Sequence, residues 1–175
     1  MKRIGGLRRR WLYNTVGVLC ALGLVCVLLV TAVFAAYYYT NVQADMRNRA
    51  ETTTEFFADY VNQNYNEYYQ SCITYAQTFE DRDRLELQFI NTYGRLVASS
   101  YGPWAGASPT TPEIREAVDS RSIRPYVGKD PATGERIIAM SSPMIYSNGE
   151  VIGVLRFVTS TRKIDMNIMR VALAS

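Results

Sequence analysis

The most apolar part of the chain lies near its start. Residues 15–36, TVGVLCALGLVCVLLVTAVFAA, contain no charged side chain, and a helix needs roughly 20 such residues to cross the hydrocarbon core of a bilayer. The pattern predicts a transmembrane helix over residues 15–39. Five basic side chains among the first ten residues mark residues 1–14 as a cytoplasmic tail by the positive-inside rule. The remainder of the chain is therefore expected outside the cell.

A cleaved signal peptide is the alternative for this segment. The sequence TAVFAA at residues 31–36 offers small residues of the kind found at cleavage sites. However, the apolar run is longer than a usual signal-peptide core, and a helical pattern continues beyond it. Both features favour a retained membrane anchor.

A second helical pattern follows the membrane segment. Between Tyr37 and Tyr93 there is neither glycine nor proline, so nothing interrupts a helix. Residues 40–80 are predicted as one long extracytoplasmic helix that, at about 1.5 Å per residue, extends on the order of 60 Å. Weakly apolar residues form one stripe along it: Val42, Met46, Ala50, Thr53, Phe57, Val61, Tyr68, Cys72, Ala76 and Phe79.

Two interpretations of this stripe remain open. The helix either packs on its own domain or forms the seam of a homodimer along its membrane-proximal part. Cys72 belongs to the stripe, so it would cross-link two copies if it lay on such a seam, or be a buried thiol if it did not.

The period of the pattern changes from that of a helix to that of strands after residue 80. Residues 81–161 are predicted to contain five strands after the long helix, so the fold class is α+β. A short helix to Ser120 is expected between the second and third strands, with Thr111 as N-cap, Pro112 at the first helical position and Glu113 favouring the helix dipole. The predicted strands are 85–91, 95–100, 123–129, 136–146 and 151–161.

The last two strands form the clearest hairpin. Asn148-Gly149 is a strong two-residue turn signal, and pairing the strands about it sets Tyr146 opposite Val151 and Ser141 opposite Arg156. Both faces of the pair are then mostly apolar. Such strands lie in the middle of a sheet that is covered on both sides, or covered on one side with a ligand on the other.

Composition excludes several functions. The chain has no histidine, so a Ser-His or Cys-His nucleophile is absent, and no phosphate-binding loop motif occurs. Beyond the basic tail, 14 basic and 16 acidic groups give a net charge of −2, which does not favour a nucleic-acid partner. The carboxylates are scattered over predicted helix ends and strands. We therefore expect no catalytic residue, metal site or cofactor in these 175 residues.

The order of elements and the last hairpin resemble a known family. Ser142-Pro143-Met144-Ile145 and Val151-Ile152-Gly153-Val154-Leu155 are similar to the last two strands of the extracytoplasmic PAS-like domain called single Cache. The resemblance covers about residues 42–165 and implies that a long helix packs on a five-stranded antiparallel, PAS-like sheet. Together with the anchor, it is closest to sensor histidine kinases of Gram-positive bacteria, including the WalK type.

This resemblance implies a role in signalling across a bacterial cell membrane. In such receptors the final strand feeds a second transmembrane helix, so residues 162–175 are expected to be a helix leading into a truncated second membrane segment. Histidine kinase activity, and a cytoplasmic response regulator as its partner, would belong to a missing C-terminal portion. The alternatives are a chemoreceptor, a cyclic-dinucleotide enzyme, or an anchored binding or accessory protein that ends at Ser175.

Four residues are candidates for binding a small-molecule ligand or an envelope component. Arg156 is the one charge in the apolar run of the last strand and is predicted beside Ser141. Arg124 and Tyr126, on the preceding strand, are similar to the Arg and aromatic residues with which amino-acid-binding Cache domains hold a carboxylate. The alternative is that Arg156 points outward along the surface and Arg124 is solvated.

Overall fold

The computed structural model describes the backbone of residues 5–61, 65–102 and 108–162. The chain forms two compact units, residues 1–40 and 41–175. The first unit contains a helical stretch long and apolar enough to cross a membrane, judged by its length and composition, with none of it buried. Nearly all of the predicted terminal helix at 162–175 lies outside the described residues.

The second unit has the predicted α+β architecture. Its five strands form one antiparallel sheet in the order β2-β1-β5-β4-β3, and a short helix precedes the third strand, as expected. The elements are α1 Gly5–Val61, α2 Tyr65–Thr78, a 3₁₀ turn Glu80–Asp83, β1 Glu86–Asn91, β2 Leu96–Ser99, α3 Pro112–Ser120, β3 Arg124–Lys129, β4 Arg136–Ile145 and β5 Val151–Ser160.

The long helix does not continue straight to Glu80, so that prediction is wrong. The rings of Phe57 in α1 and Tyr75 in α2 have centroids 5.2 Å apart, whereas a straight helix would separate these positions by about 27 Å. Arg49 of α1 also pairs with Asp81 beyond α2, with Nη1 2.6 Å from Oδ2. The two helices therefore lie side by side.

The predicted stripe is buried within one chain. Phe57 packs against Phe89 of β1 with ring centroids 5.1 Å apart, and the Thr54 hydroxyl donates to Ser142 of β4 at 2.9 Å. The stripe thus covers the chain's own sheet, and a second copy would have to use another face of α1. Seven stripe residues are less than 8% exposed: Met46, Ala50, Thr53, Phe57, Tyr68, Cys72 and Ala76.

The two faces of the sheet have different partners. Side chains alternate along each strand, so Phe89, which touches α1, lies on one face, and Ile90 lies on the other. The second face is covered by α3, where Ile114 packs against Ile90 and Val154. Arg156 shares this second face, since it is two residues from Val154 on the same strand.

The final hairpin differs in detail from the expected one. The Tyr146 amide donates to the Glu150 carbonyl at 2.7 Å, so the loop has three residues, with Gly149 at φ 86°. The predicted pairing of Tyr146 with Val151 is wrong, because Ile145 is the partner of Val151. A glycine in the left-handed region closes a three-residue loop.

The register further along this hairpin is as predicted. An irregularity between Met144 and Ile145 absorbs the difference of one residue, and Ser141 lies opposite Arg156. This bulge follows Pro143, which lacks the donor that a regular ladder needs.

Candidate functional site

The candidate site is a buried polar cluster between α3 and the sheet. Arg156 is its centre and is only 3% exposed, so the alternative that it points outward is wrong. Its Nε donates to Oε1 of Glu113 at 2.8 Å, its Nη1 to Oε1 of Gln88 at 2.8 Å and its Nη2 to Oγ1 of Thr111 at 2.9 Å. All three guanidinium nitrogens are therefore bound within the chain.

The start of α3 supplies two members of this cluster. Thr111 is extended, at φ −70° and ψ 146°, and Pro112 follows at the first helical turn, which turns Glu113 toward the sheet. The Thr111 hydroxyl makes no capping bond and donates instead to Oε1 of Glu113 at 2.7 Å. Thr111 is the N-cap residue, as expected, but its hydroxyl bonds to Glu113 and Arg156 instead of to the helix backbone.

The sheet supplies the other members. Gln88 of β1 lies directly opposite Arg156 in the ladder, which explains how its carbonyl reaches the guanidinium. Its amide donates to Oε1 of Glu86 at 2.8 Å, and the Ser99 hydroxyl donates to the same oxygen at 2.8 Å. The hydrogen-bond network thus extends from β5 across β1 to the edge strand β2.

The ion pair in the cluster uses one carboxylate oxygen. Arg156 and Glu113 are 3% and 1% exposed in their side chains, and charges buried this deeply require compensation. Oε1 of Glu113 accepts two hydrogen bonds, whereas Oε2 has no partner among the described residues. The hydroxyl of Ser141, which is 0% exposed, likewise has no partner there.

The structure brings together two of the four predicted ligand-binding residues. Ser141 and Arg156 are paired in the ladder, and Arg124 lies opposite Ser141 on its other side. The Arg124 Nε nevertheless donates to Ser120 at the end of α3, at 2.9 Å. Tyr126 packs against a small apolar cluster on β4 and β5, and its hydroxyl donates to the Lys129 carbonyl at 2.9 Å.

Sequence reasoning missed Gln88, Thr111 and Glu113 as members of the site. Thr111 and Glu113 were interpreted only as helix-start residues. Glu113 and Arg156 are 43 positions apart, and no local pattern connects them. The one available signal was Arg156 itself, since a single charge within an apolar strand requires a partner in the folded protein.

A cavity of about 460 Å³ adjoins this cluster. It lies between α3 and the turn joining β1 to β2, and Thr111 belongs both to its wall and to the cluster. Its other lining residues include Tyr93, Ile114, Arg115 and Asp119. Within the described ranges, no three His, Cys, Asp or Glu side chains are grouped as metal ligands.

The fold is shared with solved sensor domains. The sensor domain of the V. cholerae histidine kinase DctB superimposes with a TM-score of 0.59 at 14% identity, over 79% of this chain and 56% of that chain. The ligand-binding domain of the Campylobacter jejuni chemoreceptor Tlp3 in complex with L-valine superimposes with a TM-score of 0.61 at 12% identity, over 85% of this chain and 65% of that chain. The ligand-binding domain of the Pseudomonas aeruginosa PAO1 amino acid chemoreceptor PctC in complex with GABA superimposes with a TM-score of 0.54 at 15% identity, over 81% of this chain and 66% of that chain.

At 12–15% identity these likenesses show a shared fold. The chain spans between about half and two thirds of the length of these structures. No protein-family model and no curated protein matches the sequence.

Proposed function

We propose that this chain is the extracytoplasmic signal-sensing input region of a membrane-bound, two-component sensor histidine kinase. The observation that carries the proposal is the fold, which the chain shares over 79% of its length with a histidine kinase sensor domain. The apolar part of α1 supplies the membrane anchor that such a role requires. The sequence resemblance to WalK-type kinases supports the same class.

The proposed topology places the basic N-terminus in the cytoplasm and the second unit outside the cell. An alkaline phosphatase fusion after Ser160 tests it, because that enzyme is active only outside the cytoplasm. The fusion is expected to be active, and a matched fusion after Tyr13 inactive. The reverse activities would overturn the orientation.

The proposed ligand is a small molecule or an envelope component held on the α3 face of the sheet. Ser141 and Arg156 are its proposed centre, because they adjoin on that face and are both buried. Arg124 and Tyr126 lie further out on the same face of β3 and are proposed at the rim. A homodimer through α1 would use the exposed side of that helix, where Phe56 is 49% exposed.

A chemoreceptor input region is the second candidate. It is favoured by the likeness to the Tlp3 and PctC domains, whose TM-scores are comparable to that of the kinase domain. The two candidates share an input fold and differ in the cytoplasmic output that follows.

The coding sequence beyond Ser175 in the source genome separates these functions. The proposal expects an apolar membrane segment, a linker helix and then a kinase core with a phosphoacceptor histidine. If a chemoreceptor signalling domain follows instead, the histidine kinase proposal is overturned and the chemoreceptor proposal is supported. A cyclic-dinucleotide enzyme domain, or an immediate stop codon that leaves an anchored binding protein, would overturn both.

A further inference from the structure

Glu113 holds Arg156 in an incomplete way. A carboxylate and a guanidinium form their strongest pair through two parallel hydrogen bonds. Here only Oε1 of Glu113 is used, at 2.8 Å from Nε, while Oε2 is buried without a partner in the described chain. Buried polar atoms are satisfied in the great majority of cases. The pair therefore leaves bonding capacity unused at the centre of the domain.

A second unused group lies beside the same arginine. Ser141 is opposite Arg156 in the ladder and fully buried, and its hydroxyl has no partner among the described residues. A hydroxyl both donates and accepts. It is thus available to a polar group that approaches the guanidinium from the α3 side of the sheet.

The cluster is divided between two elements of the fold, the helix α3 and the sheet. Thr111 and Glu113 belong to the start of α3, whereas Gln88, Ser141 and Arg156 belong to the sheet. The remaining contacts of α3 with the sheet include the apolar packing of Ile114. Releasing Glu113 and Thr111 from Arg156 would therefore remove the polar contacts that fix this end of the helix.

The cavity borders the start of α3, although Glu113, Ser141 and Arg156 are not among its lining residues. It is bounded by both Thr111 and Ile114, so a small solute inside it stands next to the polar cluster. Arg115 and Asp119 on its wall carry opposite charges, so the wall as a whole does not select the charge of a solute.

We propose that Glu113 is an internal competitor for the Arg156 guanidinium. In the unliganded protein it occupies the guanidinium and holds α3 on the sheet, and an external carboxylate that takes its place releases the start of α3. The biological role of this displacement rests on the proposed sensing function, because the movement of α3 would be the signal that the domain transmits. It assigns small carboxylates as the ligand class, because a planar carboxylate pairs with a guanidinium through both oxygens.

The test uses removal and replacement of the carboxylate. The full chain in lipid nanodiscs carries Glu113→Ala, and sodium acetate is the probe, with sodium chloride and sodium phosphate at equal ionic strength as controls. Acetate is expected to raise the thermal midpoint of Glu113→Ala by several degrees, because it occupies the space of the missing side chain. The half-saturating acetate concentration should be at least tenfold higher for the wild-type chain, where Glu113 competes.

Two further variants control this experiment. Glu116→Ala removes an exposed carboxylate from the same helix and should respond to acetate like the wild type. Glu113→Ala combined with Arg156→Gln should lose the acetate effect. Equal acetate affinity in all variants, a folded Glu113→Ala that ignores acetate, or rescue by phosphate alone would each overturn the proposal.

Hydrogen exchange keeps the inference testable if Glu113→Ala does not fold. In Glu113→Gln the amides of residues 114–120 should exchange at least tenfold faster than in the wild type, while those of β4 and β5 are unchanged. Unchanged exchange in α3 would overturn the proposal that Glu113 holds this helix on the sheet. The proposed sensing function is tested separately, by the coding sequence that follows Ser175, and its outcome does not depend on acetate.

Discussion

The Nε atom of Arg156 lies 2.8 Å from Oε1 of Glu113, although the two residues are 43 positions apart and at most 3% exposed. Taking two charges out of water costs several kcal/mol per ion. Hydrogen bonds from the guanidinium to Gln88 and Thr111 offset part of that cost. The pair is therefore more significant for the position of α3 than for net stability.

Loss of one partner should be far more damaging than loss of both. Arg156→Met leaves the Glu113 carboxylate buried without a cation and is expected to lower the free energy of unfolding by about 3–5 kcal/mol. The double variant Arg156→Met/Glu113→Leu should cost clearly less than the sum of the two single changes. Urea unfolding of the full chain in detergent, followed by circular dichroism, measures both. Additive costs would mean that the two side chains do not interact.

The register of the sheet was largely predictable, but the partner of Arg156 was not. Period-two alternation in the first strand, together with apolar runs and turn signals for the others, located all five strands to within about a residue. The pairing of Ser141 with Arg156 followed from the hairpin. Glu113 was assigned to helix capping because local rules evaluate a residue against its own helix. Its actual partner belongs to a strand that is distant in the chain, and only tertiary packing brings the two together.

Gly153 is required by the close approach of a neighbouring strand. A Cβ at this position would lie 2.7 Å from the Ile90 carbonyl oxygen and 3.3 Å from the Tyr68 hydroxyl. Since the nearer atom is backbone in the ladder, Gly153→Ala should lower the free energy of unfolding by about 1–3 kcal/mol. Ser160→Ala, at the half-buried end of the same strand, is the matched control and should change it by less than about 0.5 kcal/mol. Equal unfolding midpoints for the two variants would contradict the packing of β1 on β5.

Cys72 is a buried thiol and does not lie on a surface open to a second copy. Burial raises its pKa to about 12, although a hydrogen bond with Tyr68 acts in the opposite direction. Because the raised pKa keeps the thiol protonated, only about one thiol in ten thousand is ionised at pH 8. In a Cys20→Ser/Cys26→Ser background, alkylation by iodoacetamide at pH 8 should be at least about a hundredfold slower in the native chain than in urea.

The same background tests the dimer seam that would place two Cys72 residues together. Mild oxidation should give no disulfide-linked dimer while the chain is folded, since the thiol is 1% exposed. Rapid alkylation or a cross-linked dimer under native conditions would show that α2 presents Cys72 to a partner chain.

The break between α1 and α2 was hidden from the sequence by the spacing of the stripe. Phe57, Val61 and Tyr68 are separated by four and seven residues, which keeps the helical phase across residues 62–64. Both helices bury this stripe against the same sheet, so the periodicity fits one long helix and two packed helices equally well. Only long-range contacts such as Phe57 with Tyr75 distinguish them.

Two neighbouring phenylalanines of α1 test how this helix packs, because one is buried and the other is exposed. Phe57 is 1% exposed and contacts both Tyr75 and Phe89, whereas Phe56 is 49% exposed and its ring centroid lies 5.9 Å from that of Tyr75. Phe57→Ala should therefore lower the free energy of unfolding by about 3–5 kcal/mol, and Phe56→Ala by no more than about 1 kcal/mol. Denaturant unfolding of the full chain in detergent measures both variants under identical conditions. Similar costs for the two substitutions would contradict the packing of Phe57 against Tyr75 and Phe89.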